Sequence, residues 1–182
     1  MKEFIVVDEM RKVVEQVSAI LTPTLQSIDS NITGVHYDHG HPIEIIETLR
    51  EKDGSNNFRF KKYPLVALFQ DFPEDGSSDI GIASVVSLHV MIVMTTQPQY
   101  KASQRIEKNF KPVLYPIFQE FKKALYKSRA FQMKGPKLDC RKFDRLYWGR
   151  EGLMKNETNL FNDWIDGIEL RNIKLRVNEK LC

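Results

Sequence analysis

Cysteine is scarce in this chain: Cys140 and Cys182 are the only two among 182 residues. Two thiols make neither a disulfide framework nor a metal quartet, and the pattern fits a reducing, intracellular setting. Long apolar runs are missing as well. No stretch approaches the ~18 residues needed to span a bilayer, and the opening Met-Lys-Glu-Phe-Ile-Val-Val-Asp-Glu reaches acidic residues too soon for a signal-peptide core. Neither export by that route nor a membrane partner is expected. A glycine-rich phosphate loop and a nucleophile motif are also lacking. Proline is sparse at eight residues, and hydrophobic and charged fractions of 42% and 28% exclude a disordered chain, which lacks the apolar surface to offset ordering entropy.

What is present is a pair of apolar strands followed by an aromatic-rich helix. Lys62-Tyr-Pro-Leu-Val-Ala-Leu-Phe-Gln-Asp-Phe72 reads as a strand with Pro64 at its start, where a strand tolerates it. Residues 80–96 are apolar almost throughout, which predicts a strand covered on both faces for part of its length. Val113, Leu114, Ile117, Phe118, Phe121, Ala124 and Leu125 then form a helical stripe suited to covering the sheet. Pro112 and Pro116 predict a break or kink between a first piece over 102–109 and a second over 113–127.

Upstream, Met10, Val13, Val14, Val17, Ile20 and Leu21 predict a helix over 8–25, with Asp8 as N-cap and a weakening at Thr22-Pro-Thr24. Residues 35–42 read as a polar loop, 43–49 as an extended segment or strand, and 50–57 and 72–79 as surface loops. Residues 133–159 read as a long irregular segment. Near the C-terminus, Ile168, Leu170, Ile173, Leu175 and Val177 alternate with charged residues and slip phase at Asn172, predicting a closing strand with a bulge. The expectation is one α+β domain over 1–182 with protruding loops, its small, mostly antiparallel sheet packed by an N-terminal helix and a long central helix.

Three groups of residues carry candidate chemistry. His36, His39 and His41, with Asp38 among them, are of metal-ligand type, but they lack the helical spacing that aims such ligands at one ion. Glu44, Glu47, Asp71, Glu74 and Asp75 are loop carboxylates with no sign of burial, and Cys140 reads as an ordinary half-buried thiol. No catalytic, cofactor-binding or metal residue is therefore assigned, and no enzyme activity is expected. Charge is the second group. Residues 101–150 hold 14 Lys and Arg against 4 Asp and Glu, whereas the other 132 residues hold 13 against 20. Lys122, Lys123, Lys127, Arg129, Lys134, Lys137, Arg141 and Lys142 are either a surface for DNA or an acidic partner, or a solvated face. The third group is Asp71, Phe72, Glu74, Asp75, Tyr147, Trp148, Arg150, Phe161 and Trp164, which either contact another protein or close the chain's own core.

Four stretches resemble the tail-terminator and tail-completion proteins of tailed bacteriophages, and more closely a head-to-tail connector or neck ring protein of crAss-like phages. They are Val35-His-Tyr-Asp-His-Gly-His-Pro-Ile-Glu-Ile-Ile-Glu-Thr-Leu49, residues 62–72, Asn109-Phe-Lys-Pro-Val-Leu-Tyr-Pro-Ile117 and Phe161-Asn-Asp-Trp-Ile-Asp-Gly-Ile-Glu-Leu170. The resemblance implies a virion protein, assembled in the host cytoplasm, that forms a ring of six or twelve copies with head-to-tail contacts. Its implied partners are other copies of itself, neighbouring portal, adaptor or tail proteins, and the DNA that passes through the lumen. The loops over 71–79 and 149–159 would be the arms that reach neighbours. The basic segment would face an acidic partner ring ahead of DNA, since tight phosphate contacts would hinder passage. Two other classes stand beside this reading: a metal-dependent enzyme built on His36, His39 and His41, and a free basic nucleic-acid-binding module.

Overall fold

Valine, methionine and leucine at three-and-four spacing wind Val6–Ile28 into α1 and bury Met10, Val13, Val14, Val17, Leu21 and Leu25 along one stripe. The structure is a computed structural model that describes residues 5–54, 61–75, 83–133, 135, 137–146 and 163–178. Helix α1 starts earlier than the sequence suggests, with Ile5 rather than Asp8 at the N-cap, and it runs through Pro23 for another turn. Ile20, expected in the buried stripe, is 57% exposed.

The chain continues through β1 (His36–Gly40), α2 (Pro42–Asp53), β2 (Leu65–Phe69), β3 (Glu74–Asp75) and β4 (Ala83–Thr95). A continuous helical rod follows, made of α3 (Ala102–Arg105), a π-helical stretch (Ile106–Leu114) and α4 (Tyr115–Lys127), and then come β5 (Phe131–Gln132), β6 (Arg141–Arg145) and β7 (Ile165–Asn178). Three expectations are corrected here. Residues 36–40 form a strand rather than a polar loop. Residues 43–49 belong to a helix, because Pro42 sits in its first turn and His41 and Glu44 make a capping box: the His41 ring accepts from the Ile43 N–H and Glu44 accepts from the His41 N–H. The irregular stretch over 133–159 contains β6, whose charged, short sequence hides its strand character.

Among the described residues, seven strands join one sheet in the order β1-β2-β4-β7-β5, with β3 beside β4 and β6 beside β7, and only the β1–β2 pair is parallel. The α+β architecture read from the sequence is the observed one. One face of the sheet packs against α1, the π-helical stretch and α4, joining Val66, Leu88, Val90, Ile92, Ile168, Leu170 and Leu175 to Phe110, Leu114, Phe121 and Leu125 in the main core. Each such side chain, fully buried, contributes roughly 1.5–3 kcal/mol. Among the described residues, the other face is covered where α2 lays Ile45, Ile46 and Leu49 on Leu65, Ala67, Phe69, Met91 and Val93. Strand β4 is accordingly buried on both sides over 90–93 and on one side before that, as its sequence predicts.

Two local irregularities set this geometry. The expected break at Pro112 does not occur, because that residue lies inside the π-helical stretch, whose wider turns absorb a residue without an N–H. Pro116 falls in the first turn of α4, where its missing donor is immaterial. In β7 the phase slip is real. The register with β4 shifts between Leu88 and Val90, and Asn172 opposite it adopts a left-handed backbone with φ 55°.

Candidate functional site: an arginine-rich sheet face

Past the edge of α2, the uncovered face of the sheet is floored by alternate residues of β4, β7 and β6. Strand alternation and register place Arg145, Phe143 and Arg141 of β6 beside Gly167, Glu169 and Arg171 of β7. His89 of β4 completes the group across the bulge. Glu169 is its centre. Its side chain is 1% exposed, yet its carboxylate accepts from Arg145 Nε at 2.9 Å, Arg171 Nε at 2.7 Å and His89 Nε2 at 3.0 Å. Arg145 adds a second contact through Nη2 at 2.8 Å, so two of its guanidinium nitrogens converge on the same oxygen, Oε2. Burial alone would raise the Glu169 carboxyl, but the hydrogen bonds and charges of Arg171 and Arg145 outweigh it and hold the group below its ordinary value.

The neighbouring rings fit the same arrangement. Burial pushes the His89 imidazole below its ordinary value against the opposing pull of Glu169. A neutral ring beside an ionised carboxylate must carry its proton on Nε2 to donate there. The ring of Phe69 meets His89 edge-on at 4.6 Å, and the guanidinium carbons of Arg145 and Arg171 lie 4.7 and 5.4 Å from the Phe143 centroid. Further along β7, Lys174 and Arg176 share this face opposite Ser87 and Val85, and both are exposed. The result is a cation-rich floor in which one buried carboxylate neutralises part of the charge and fixes the two guanidiniums in place.

A second polar network lies inside the fold. Arg105 and Asp166, both with 0% exposed side chains, pair at 2.7 Å. Arg105 also donates to Thr96 Oγ1 and to the carbonyls of Tyr100 and Gln97, while Asn109 Nδ2 donates to Asp166 Oδ2 at 2.8 Å. This satisfied pair ties the start of the helical rod to the ends of β4 and β7. Beside it opens a cleft of about 330 Å³ lined by Ile28, Asp29, Ile32, Tyr100, Lys108 and Asn109, with Lys108 lying 4.3 Å over the Tyr100 ring.

The three histidines do not converge. Alternation along β1 turns His36 and His39 to opposite faces. His36 lies 3.3 Å from Thr33 Oγ1, His39 stacks on Tyr37 at 5.8 Å, and His41 caps α2. Asp38 accepts from the His39 N–H through Oδ1, and its buried Oδ2 has no hydrogen-bond partner. Among the described residues, no three His, Cys, Asp or Glu side chains gather into a metal site.

The sequence-derived basic set is divided by the fold. Lys122 and Lys142 meet over the Phe118 ring, at 4.8 and 5.6 Å, and Lys142 also lies 5.1 Å over Tyr115 and pairs with Asp144. Lys123 pairs with Glu120, whereas Lys127, Arg129 and Lys137 are exposed. Arg141 projects to the other side of β6, onto the open floor. Burial, aided by Asp139, pushes the Cys140 thiol up despite Lys122 and Lys142, so it is not an activated nucleophile. Burial and the hydrogen bond to Asp144 likewise raise the Tyr115 phenol. Of the interface set, Asp71, Glu74 and Asp75 are exposed, with Glu74 accepting from Ser84 Oγ. Phe72 packs on the main core and Trp164 is half-buried, its carbonyl accepting from the Thr96 N–H at 2.7 Å. Tyr147, Trp148, Arg150, Phe161 and Lys134, and the segment 149–159, lie outside the described residues.

Sequence reading missed Glu169, Arg145, Arg171, His89 and Phe143 as a group. The alternation of β7 was visible, but its charged residues read as solvent-facing, and only the pairing with β6 shows that one of them is buried among arginines. No known family model matches the chain, and no curated protein is significantly similar to it.

Proposed function

We propose that this chain is a structural, non-catalytic protomer of a ring in the head-to-tail connector or tail terminator of a tailed bacteriophage, joining portal-side proteins to the tail around the DNA channel. The observation that carries this reading is the asymmetry of the sheet. It ends on one side in β1 and on the other in β5 and β6, so a contact between the unlike edges of two copies is head-to-tail, the arrangement that closes into a ring when its rotation permits. The basic and aromatic patch of Lys122, Lys142, Phe118 and Tyr115 lies on the helical side and suits an acidic neighbouring ring. The polar clusters support a role in contact: their groups satisfy one another and leave no activated acid, base or nucleophile.

Quantitative mass spectrometry of purified virions tests this directly. A whole-number ratio between copies of this protein and copies of the portal is the expected result. Absence from the particle overturns the connector reading.

A further inference from the structure

We propose that the open face of the sheet, running from Arg145 past Arg141 and Arg171 to Lys174 and Arg176, binds the phosphate backbone of duplex nucleic acid without reading its sequence. The basic surface considered from sequence centred on α4. This one lies on the opposite side of the sheet and draws most of its charge from β7.

Four observations support a polyanion as the occupant. Five cations line one face at successive registers of β6 and β7, a stripe about 25 Å long at the usual rise of a strand. That is far longer than a single carboxylate or a short acidic turn requires. Next, Glu169, the carboxylate between Arg145 and Arg171, is buried and already shared by both, so it opposes an incoming anion little while holding two guanidiniums in place, and the exposed Asp139, whose carbonyl accepts from the Lys174 N–H, stands beside the stripe. Arg141, Lys174 and Arg176 form no ion pair among the described residues, and the exposed Asp75 stands at the far end, opposite Val85. Finally, a protein partner of ordinary affinity needs a desolvated apolar centre. Among the described residues, the Phe143 ring on this floor is covered by Arg145 and Arg171, the His89 ring is engaged with Glu169 and Phe69, and Val85 is 36% exposed. Charge without an apolar anchor favours the regularly spaced phosphates of a duplex, bound largely through counterion release.

Fluorescence anisotropy of a labelled duplex oligonucleotide, titrated with the purified chain over a range of salt, tests the proposal. Binding should be indifferent to base sequence, with log affinity falling linearly in log salt by about 0.9 per phosphate neutralised. The double variant Lys174→Ala/Arg176→Ala removes two exposed cations without touching Glu169, and should make that slope shallower by about 2. Lys123→Ala/Lys127→Ala on α4 should leave the slope unchanged, and melting curves confirm that both variants fold. Lack of binding at low salt overturns the proposal, as does an equal loss from the α4 variant. So does polyglutamate competing as well as duplex, which would identify an acidic protein segment as the occupant. The binding reaction needs no ring, so its failure leaves the connector reading standing, and absence from virions leaves this face's chemistry untouched.

Discussion

Glu169 is a carboxylate withdrawn from water in a strand where its neighbours Arg171 and Lys174 are exposed. Removing its charge with Glu169→Gln leaves two guanidiniums facing each other over a neutral amide. The expected cost is about 2 kcal/mol, below the roughly 3–5 kcal/mol of a fully buried pair, because Arg145 and Arg171 are 36% and 49% exposed and partly screened. Chemical denaturation measures it. The pH dependence follows from the same group. Burial lowers the His89 pKa in the folded chain, so below the ordinary imidazole value of about 6.5 the unfolded chain holds more protons and stability falls as pH drops through that value. Glu169, held below 4.5, adds stability that is complete above that value and is lost as pH falls further through its folded value. His89→Gln should flatten the first decline and leave the second. A stability curve in that variant as steep as the parent's between about pH 7 and 5 would assign the decline elsewhere.

At the level of elements, Asn172 decides whether β7 can serve two masters. The extra residue lets Leu170 and Ile173 both face the core despite their odd spacing, and its left-handed backbone suits Asn or Gly but not a β-branched residue. Asn172→Val should cost about 1–2 kcal/mol, read from the denaturation midpoint, while Asn172→Gly stays within a few tenths of the parent. This slip was legible because hydrophobic alternation is a direct record of which face is buried. β2, β4 and α1 were legible for the same reason. α2 and β6 were not. In α2 the start signal was Pro42 with a His41–Glu44 capping box, an unusual N-cap residue that masked the motif. In β6 the residues Arg-Lys-Phe-Asp-Arg carry almost no apolar signal, since this exposed to half-buried strand is held by its ladder with β7 and the Arg145–Glu169 ion pair rather than by hydrophobic contact. The helical rod misled in the opposite sense: Pro112 is a breaker only for an α-helix, and the sequence does not announce a π-helical stretch. The candidate site was therefore half visible, its cations countable in the sequence and its central carboxylate identifiable only from strand pairing.

Across the whole molecule, the strand that comes last is the one everything else leans on. β7 pairs with β4 along nearly its full length and with β5 and β6 on its other side, and it supplies Ile168, Leu170, Ile173, Leu175 and Val177 to the core and Asp166 to the buried pair with Arg105. A chain cut after residue 163 should therefore lose cooperative unfolding altogether, with circular dichroism showing residual helix from α1 and the rod but no sharp transition. A sharp transition in that fragment would mean that α1 and the rod suffice for a core. The same placement dictates how the protein is born. While the ribosome is still adding residues, α1 and the rod have no complete sheet to rest on, and the apolar faces of β2 and β4 stay open until the closing strand emerges. Folding of this sheet then waits for β7, and a nascent chain that has not yet made it is a natural client for chaperones that shield unpaired strands.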